Sequence, residues 1–204
     1  MKYLDCIILS LHCFFVSIAD ANTKNKLMQD VYFFCDKCKI PYKKKVKFNL
    51  KLLRFVLRNN YEFLNLFYWR MGACTRKFHF STILKLILPE RIHLMFGVDS
   101  KNVGGGLFIR HGNSTIIHAK SIGNNFYIHQ NVTIGDSGTG FPIIGNNVKV
   151  GTGAVVLGPI TIGNDVVIGA NATVVKDIPD DCTVVSSGAF VIKSNGQRIN
   201  MQPL

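Results

Sequence analysis

Between residues 144 and 174 an aliphatic side chain returns at every sixth position: Ile144, Val150, Val156, Ile162, Ile168 and Val174. Neither regular element repeats in this way, because a helix returns to one face every 3.6 residues and a strand every 2. A period of six with glycine behind the aliphatic residue, as in Ile144-Gly145, Val150-Gly151, Ile162-Gly163 and Ile168-Gly169, is the hexapeptide signature of a parallel β-helix. Each hexad makes one short strand and one turn. The recurring aliphatic points inward, and Gly and Asn accept turn dihedrals that most side chains resist.

Followed backwards, the register passes through Ile134, Ile128, Ile122, Ile116, Ile109 and Val103, with one extra residue between Ile109 and Ile116 and four between Ile134 and Ile144. Three hexads close a coil, so the expected architecture is mainly β, with about four stacked coils over 98–180 burying one aliphatic column. The insertion at 135–143, GDSGTGFPI, should escape the repeat and project outward as a loop of the kind that carries function.

Charge and glycine divide the chain near Gly97. Residues 1–100 hold 17 of the 24 Lys and Arg, 7 of the 12 Asp and Glu, and 2 of the 18 Gly. Residues 1–97 therefore read as a basic, aromatic-rich α-helical region, 98–180 as the β-helix and 181–204 as a C-terminal tail. A net charge of +12 implies attraction to something anionic, whether a nucleic acid, a lipid surface or a phosphorylated cofactor. No nucleic-acid motif accompanies it, and nucleic acid is set aside. Within 43–71, a helix expected to break at Asn59-Asn60, Lys47, Lys51, Arg54 and Arg58 line one face beside Leu50, Leu53, Phe55, Leu57, Phe63, Leu66, Phe67 and Trp69. That combination suits either a helical cap on the solenoid with a solvated basic face, or peripheral contact with an anionic membrane.

The six cysteines show no disulfide-framework spacing, and Cys35-Asp-Lys-Cys38 lacks the second pair that a structural zinc site normally requires. No metal is expected, and the cysteines read as reduced thiols of a cytoplasmic protein. The segment MKYLDCIILSLHCFFVSIADA imitates a secretory leader, but Asp5 and His12 interrupt it and it is short for a membrane span. An uncleaved buried or interfacial helix is the expectation, with a location in the cytoplasm or at the inner face of the membrane.

The repeat resembles that of the hexapeptide acyltransferases. Gly106-Leu107-Phe108-Ile109-Arg110-His111-Gly112, Val132-Thr133-Ile134-Gly135, the hexads through Val174-Val175-Lys176-Asp177-Ile178-Pro179, and Glu62-Phe63-Leu64-Asn65-Leu66-Phe67-Tyr68-Trp69-Arg70 narrow the resemblance. Together they are similar to serine acetyltransferases and the related acetyltransferases of capsule and exopolysaccharide synthesis. The resemblance implies a left-handed β-helix, a homotrimer with active sites between neighbouring subunits, and acetyl transfer from acetyl-CoA to a hydroxyl. A hydroxyl needs a base with a pKa near 7, which histidine supplies. By position His111 is that base, and Asp99 is the residue that would orient it. His129 either lines the same cleft or is a solvated turn residue, and His118 is a weaker rival.

The same resemblance assigns acetyl-CoA to a groove of small residues, Gly151, Gly153, Ala154, Gly169 and Ala170, with Lys176 near the CoA phosphates; each glycine also has a reading as a plain turn residue. Arg110 and Phe141 occupy positions where serine acetyltransferases usually carry an aspartate and a histidine that help hold the amino acid. An ammonium beside Arg110 meets repulsion. A sugar hydroxyl of a surface polysaccharide is therefore the first expectation for the acceptor. Serine acetylation feeding cysteine synthesis is the alternative within enzymes. A trimeric scaffold without catalysis is the alternative outside them, on account of the changes at Arg110, Phe141 and Ser186 to Gly188.

Overall fold

The computed structural model describes residues 16–42, 49–74, 93–188, 190–194 and 197–203. Its centre is a parallel β-solenoid of about five turns with three faces. One face stacks β1 (Leu94–Phe96), β3 (Thr115–Ile117), β6 (Thr133–Gly135), β9 (Val155–Leu157) and β12 (Thr173–Val174). The next holds β4 (Ser121–Ile122), β7 (Ile143–Ile144) and β10 (Thr161–Ile162), extended by bridges from Val103 to Ile122 and from Ile162 to Ile178. The third stacks β2 (Phe108–Ile109), β5 (Tyr127–Ile128), β8 (Lys149–Val150), β11 (Val167–Ile168) and β13 (Thr183–Val184). An antiparallel hairpin, β14 (Phe190–Ser194) and β15 (Gln197–Pro203), follows the last coil.

The sixth-residue rule holds with one shift. Ile134, Ile144, Val150, Val156, Ile162, Ile168 and Val174 are buried, but in β3 the fully buried partner of Ile134 is Ile117, not Ile116. The path from Ile109 to Ile117 is thus eight residues and that from Ile117 to Ile122 five. A corner lengthened by two is followed by one shortened by one, which mimics a single extra residue when only aliphatic spacing is counted. Most hexads also bury a second side chain two positions earlier, as at Phe126, Val132, Val148, Ala154, Val166 and Ala172, because a strand returns to the same face every second residue. The additional coil comes from the ends: β1 and β13 lack the aliphatic–glycine pair that marks the inner hexads.

The corner between the second and third faces shows why Ile-Gly-Asn-Asn recurs. A Cβ on Gly145 would stand 2.6 Å from the Gly163 carbonyl oxygen of the next coil, so the coils can close up only over glycine. Asn125, Asn147, Asp165 and Asp181 hold φ of +56 to +59°, the left-handed region that Asn and Asp tolerate best. Their neighbours form a ladder: Asn124 Nδ2 donates to Asn146 Oδ1 at 3.2 Å, Asn146 Nδ2 to Asn164 Oδ1 at 2.9 Å, and Asn164 Nδ2 to Asp180 at 3.2 Å. The Asn164 donors hold the Asp180 carboxyl below its ordinary range.

Helices cover the first coil. Helix α1 (Ala21–Lys37) starts at Asp20, whose carboxylate accepts from the Thr23 N–H at 2.9 Å. Helix α2 (Leu50–Asn59) and helix α3 (Tyr61–Cys74) are separated by the extended Asn60, at the break expected from the asparagine pair. Leu52, Leu53, Val56 and Leu57 of α2 are buried, while Lys51, Arg54, Phe55 and Arg58 face outward. Lys47 and residues 1–15, the greater part of the leader-like run, fall outside the described residues; of its last residues Val16 and Ala19 are buried. Among those described, no helix is long and apolar enough to cross a membrane.

The joint between helices and solenoid is Arg70, 1% exposed, against Asp30, 0% exposed. Arg70 Nε donates to Asp30 Oδ2 at 2.9 Å and Nη2 to Oδ1 at 3.2 Å. Its other donors reach the carbonyls of Ser100, Val103 and Gly104, at the edge of the first coil. Asp30 Oδ1 accepts the Leu107 N–H at 2.8 Å. Burial pushes the Asp30 carboxyl up and the Arg70 guanidinium pulls it back. Breaking a buried pair by removing one partner typically costs about 3–5 kcal/mol, since the other charge stays buried alone. Asp30→Ala should therefore lower the urea midpoint of unfolding by a corresponding amount; a midpoint equal to that of the unaltered chain would show that the pair is not the joint.

Candidate functional site

His111 occupies the lengthened corner. The hydrogen bonds between successive corners run from Asn131 N to Asn113 O, Gly153 N to Gln130 O and Asn171 N to Thr152 O, which makes Ser114, Asn131, Gly153 and Asn171 the stacked left-handed positions. His111 has a φ of +58° but no counterpart in that stack. It is carried on the two additional residues, exposed, in a conformation that a non-glycine residue adopts at a cost. The Asn113 N–H donates back to the His111 carbonyl and tightens the turn.

Ladder pairing places the neighbours. Arg110 N donates to Ile128 O at 2.8 Å and His129 N to Val150 O at 3.1 Å, so Arg110, His129, Gly151 and Gly169 succeed one another along one edge. His111 and His129 therefore share that edge, offset by one residue and one coil. His129 is half-buried, and its ring lies 5.0 Å from that of Tyr127, which stacks on Phe108 at 5.0 Å. Burial holds the His129 imidazole below its ordinary pKa, helped by the Arg110 charge and by His111. The Gln130 side chain beside it works against that shift, and Gln130 Oε1 is buried with no partner at full hydrogen-bond geometry.

The C-terminal end of α1 closes this region on one side. Lys37 Nζ stands 4.8 Å from the centre of the Phe33 ring and 5.9 Å from that of Tyr127. Cys38 is exposed and feels the charges of Arg110 and, more weakly, Glu62, while burial is the larger influence and raises its thiol. Cys35 is buried, its thiol pushed up to about 11 by burial. Among the described residues, no group of three or more His, Cys, Asp or Glu is placed to hold a metal ion.

The remaining expected site residues divide between edges. Gly151, Gly169 and Ala170 line the edge that continues from His129, and Ser186 Oγ donates to the Ala170 carbonyl at 3.3 Å. A Cβ on Gly151 would lie 2.7 Å from the Ala170 amide nitrogen, so coil stacking alone requires glycine there. Gly153, at φ +71°, is a turn position. Ala154 is fully buried inside the solenoid, one of the inward residues two positions before the hexad aliphatic, so its side chain does not face the edge. Lys176 is exposed on the corner after β12.

Asp99 and Phe141 lie at the corner between the first and second faces, away from His111 in the same chain. Asp99 caps a 3₁₀ turn, Ser100–Asn102, accepting from the Lys101 N–H at 3.0 Å and pairing with Lys101 Nζ at 3.4 Å. Phe141 ends the inserted loop and stacks on His118, ring centres 3.9 Å apart. Asp136 Oδ1 folds the loop by accepting from Gly138 N at 2.8 Å and Gly140 N at 2.7 Å, which draws its carboxyl below the usual range. His118 is thereby occupied in packing. Gln130 and Tyr127 are the functional-edge residues that the sequence reading missed; hexad counting treats their positions as ordinary coil, and only the lengthened corner marks the edge as unusual.

Residues 141–176 match the family described as bacterial transferase hexapeptide (six repeats). A serine acetyltransferase from Synechococcus elongatus is 40% identical over 126 residues, covering 58% of this chain and 52% of the relative. One from Helicobacter pylori is 36% identical over 127 residues, covering 57% of this chain and 71% of the relative. The solved serine acetyltransferase 1 of Entamoeba histolytica in complex with L-cysteine superposes with a TM-score of 0.62 at 20% identity, over 90% of this chain and 73% of that one, and shares the fold. The chain spans 52% and 60% of the lengths of two of the curated relatives it matches.

A titration of His129 follows from its surroundings. A histidine whose folded pKa is depressed binds protons more readily when unfolded, so stability falls as pH drops through the unfolded value of about 6.5 and levels off below the folded one. Thermal unfolding between about pH 7.5 and 5 should show this decline, and His129→Gln should flatten it. An identical pH slope in the variant would contradict the assignment.

Proposed function

Because the chain belongs to the serine acetyltransferase family of hexapeptide-repeat transferases, we propose that it is an O-acetyltransferase that uses acetyl-CoA, with His111 as its base. The observation that carries the reading is His111 itself, exposed on a two-residue extension at the head of an edge that continues through Gly151 and Gly169. The imidazole takes the hydroxyl proton as the acceptor oxygen attacks the thioester carbonyl. Backbone N–H groups of the corners are suited to hold the resulting oxyanion. Collapse breaks the C–S bond, and the proton returns from the imidazolium to the departing thiolate. His129, kept neutral near pH 7 by burial, adds a hydrogen-bonding group to the edge without a fixed charge.

The reading includes a homotrimer. Asp99 and Phe141 lie on a different edge from His111, so a neighbouring copy is what could bring them to one cleft. The name shared by the relatives supports L-serine as acceptor, an activity that feeds cysteine synthesis. One observation favours a second reading, a sugar hydroxyl of a surface glycan: Arg110 stands beside the base, where an ammonium is repelled. In that case the outward Lys51, Arg54, Phe55 and Arg58 of α2 would suit an enzyme working at an anionic membrane surface.

The test is release of CoA thiol from acetyl-CoA with L-serine and with a panel of sugars. His111→Ala should reduce release by about 10²–10⁴-fold, the usual contribution of a positioned base, and leave the melting temperature and acetyl-CoA binding unchanged. Turnover retained in the variant would move the base to His129.

A further inference from the structure

Resting on the reading of His111 as the base, we propose that Arg110 selects an acceptor of net negative charge, holding a carboxylate or phosphate beside the hydroxyl that His111 deprotonates. The Arg110 backbone is locked into the ladder by its 2.8 Å bond to Ile128 O, so the guanidinium extends from the rigid end of β2, one residue from His111. The side chain is exposed, next in the chain to His111 and one coil from His129 along the ladder, and its charge reaches both His129 and Cys38. Lys37 adds a second cation behind Tyr127, whose ring adjoins His129.

Among the described residues, the ladder positions that follow Arg110 along the edge carry no carboxylate. The successive positions after Arg110 are His129, Gly151 and Gly169, and the residues that follow these three in the chain are Gln130, Thr152 and Ala170. Two carboxylates lie near the end of α1: Glu62, half-buried in the first turn of α3, whose field reaches Cys38, and Asp36, which neighbours Lys37, acts on Cys35 and accepts from the Tyr42 hydroxyl at 2.8 Å. A zwitterion such as L-serine would gain an attraction through its carboxylate and meet a repulsion through its ammonium. Glycerate keeps the skeleton and the carboxylate and replaces the ammonium with a hydroxyl, so only the attraction remains. A planar guanidinium accepts carboxylate and phosphate alike through paired N–H donors, and both sources have to be tried.

The experiment measures initial rates of CoA thiol release by the full chain with L-serine, glycerate, a hexose phosphate and a neutral methyl hexoside. Wild-type kcat/KM for glycerate or the hexose phosphate should exceed that for L-serine and the neutral sugar by about ten- to hundredfold, the worth of one charge-assisted contact. Whichever of the two is used better identifies the anionic group. Arg110→Ala should erase the preference by raising KM for the anionic acceptor, with kcat and the KM for acetyl-CoA little changed, and Arg110→Lys should restore part of it. A wild-type preference for serine or the neutral sugar, or a preference that survives Arg110→Ala, overturns the inference and leaves acetyl transfer intact.

Absence of thiol release with every acceptor would instead end the acetyl-transfer reading. The anion site is then decided by inorganic phosphate alone, read on the His129 imidazole proton resonances. Shifts present in the wild type and lost in Arg110→Ala uphold the site; shifts absent, or unchanged in the variant, remove it.

Discussion

A solenoid has an end, and its first coil presents backbone carbonyls with no strand above them to supply N–H donors. Arg70 answers that constraint. Its guanidinium spends three donors on the carbonyls of Ser100, Val103 and Gly104 and the rest on Asp30, which itself accepts the Leu107 N–H. Trp69 and Lys26 extend the same arrangement, donating to Val98 O at 3.1 Å and Lys101 O at 3.0 Å. The helical region is thus a lid for an open edge, chemically matched to it by cationic and indole donors. Everything below inherits its register from the coil that this lid fixes.

The position of the reactive edge is a consequence. Once β2 is held by the coil that Arg70 clamps, Arg110 and His111 emerge at a defined height, and the end of α1 comes to rest beside them through Lys37 and Tyr127. Asp30 accepts from Leu107, three residues before Arg110, so the buried pair connects helix packing to the placement of Arg110 and His111. Aromatic contacts reinforce the seam, with Phe34 against Phe108 at 5.5 Å and Trp69 stacked on Phe96 at 4.3 Å.

The solenoid was legible in the sequence because its core repeats, and repetition is the one long-range property a linear pattern displays directly. Where the repeat fails, so does the reading. Ile116 and Ile117 are both aliphatic, and only the pairing with Ile134 tells which points inward. The small size of Ala154 has two causes in the sequence, a groove or a crowded interior, and its side chain is packed in the interior. Asp30 and Arg70 are separated by 40 residues with no periodicity to link them, so their pairing could not be read. His111 was legible through its flanking residues, whereas the edge assignments of Asp99 and Phe141 depend on which corner each occupies, which requires knowing every corner's length.

Those unequal corner lengths have a wider implication. The aliphatic column counts only the residues that point inward, so eight residues between Ile109 and Ile117, or ten between Ile134 and Ile144, leave the stack as well ordered as six. Both extensions lie on the outside, one carrying His111 and the other Phe141. The residues that hold the fold and the residues presented at its corners are consequently different residues of one chain. A lineage of such proteins can lengthen or reword a corner while the interior that makes the protein fold is handed on unaltered.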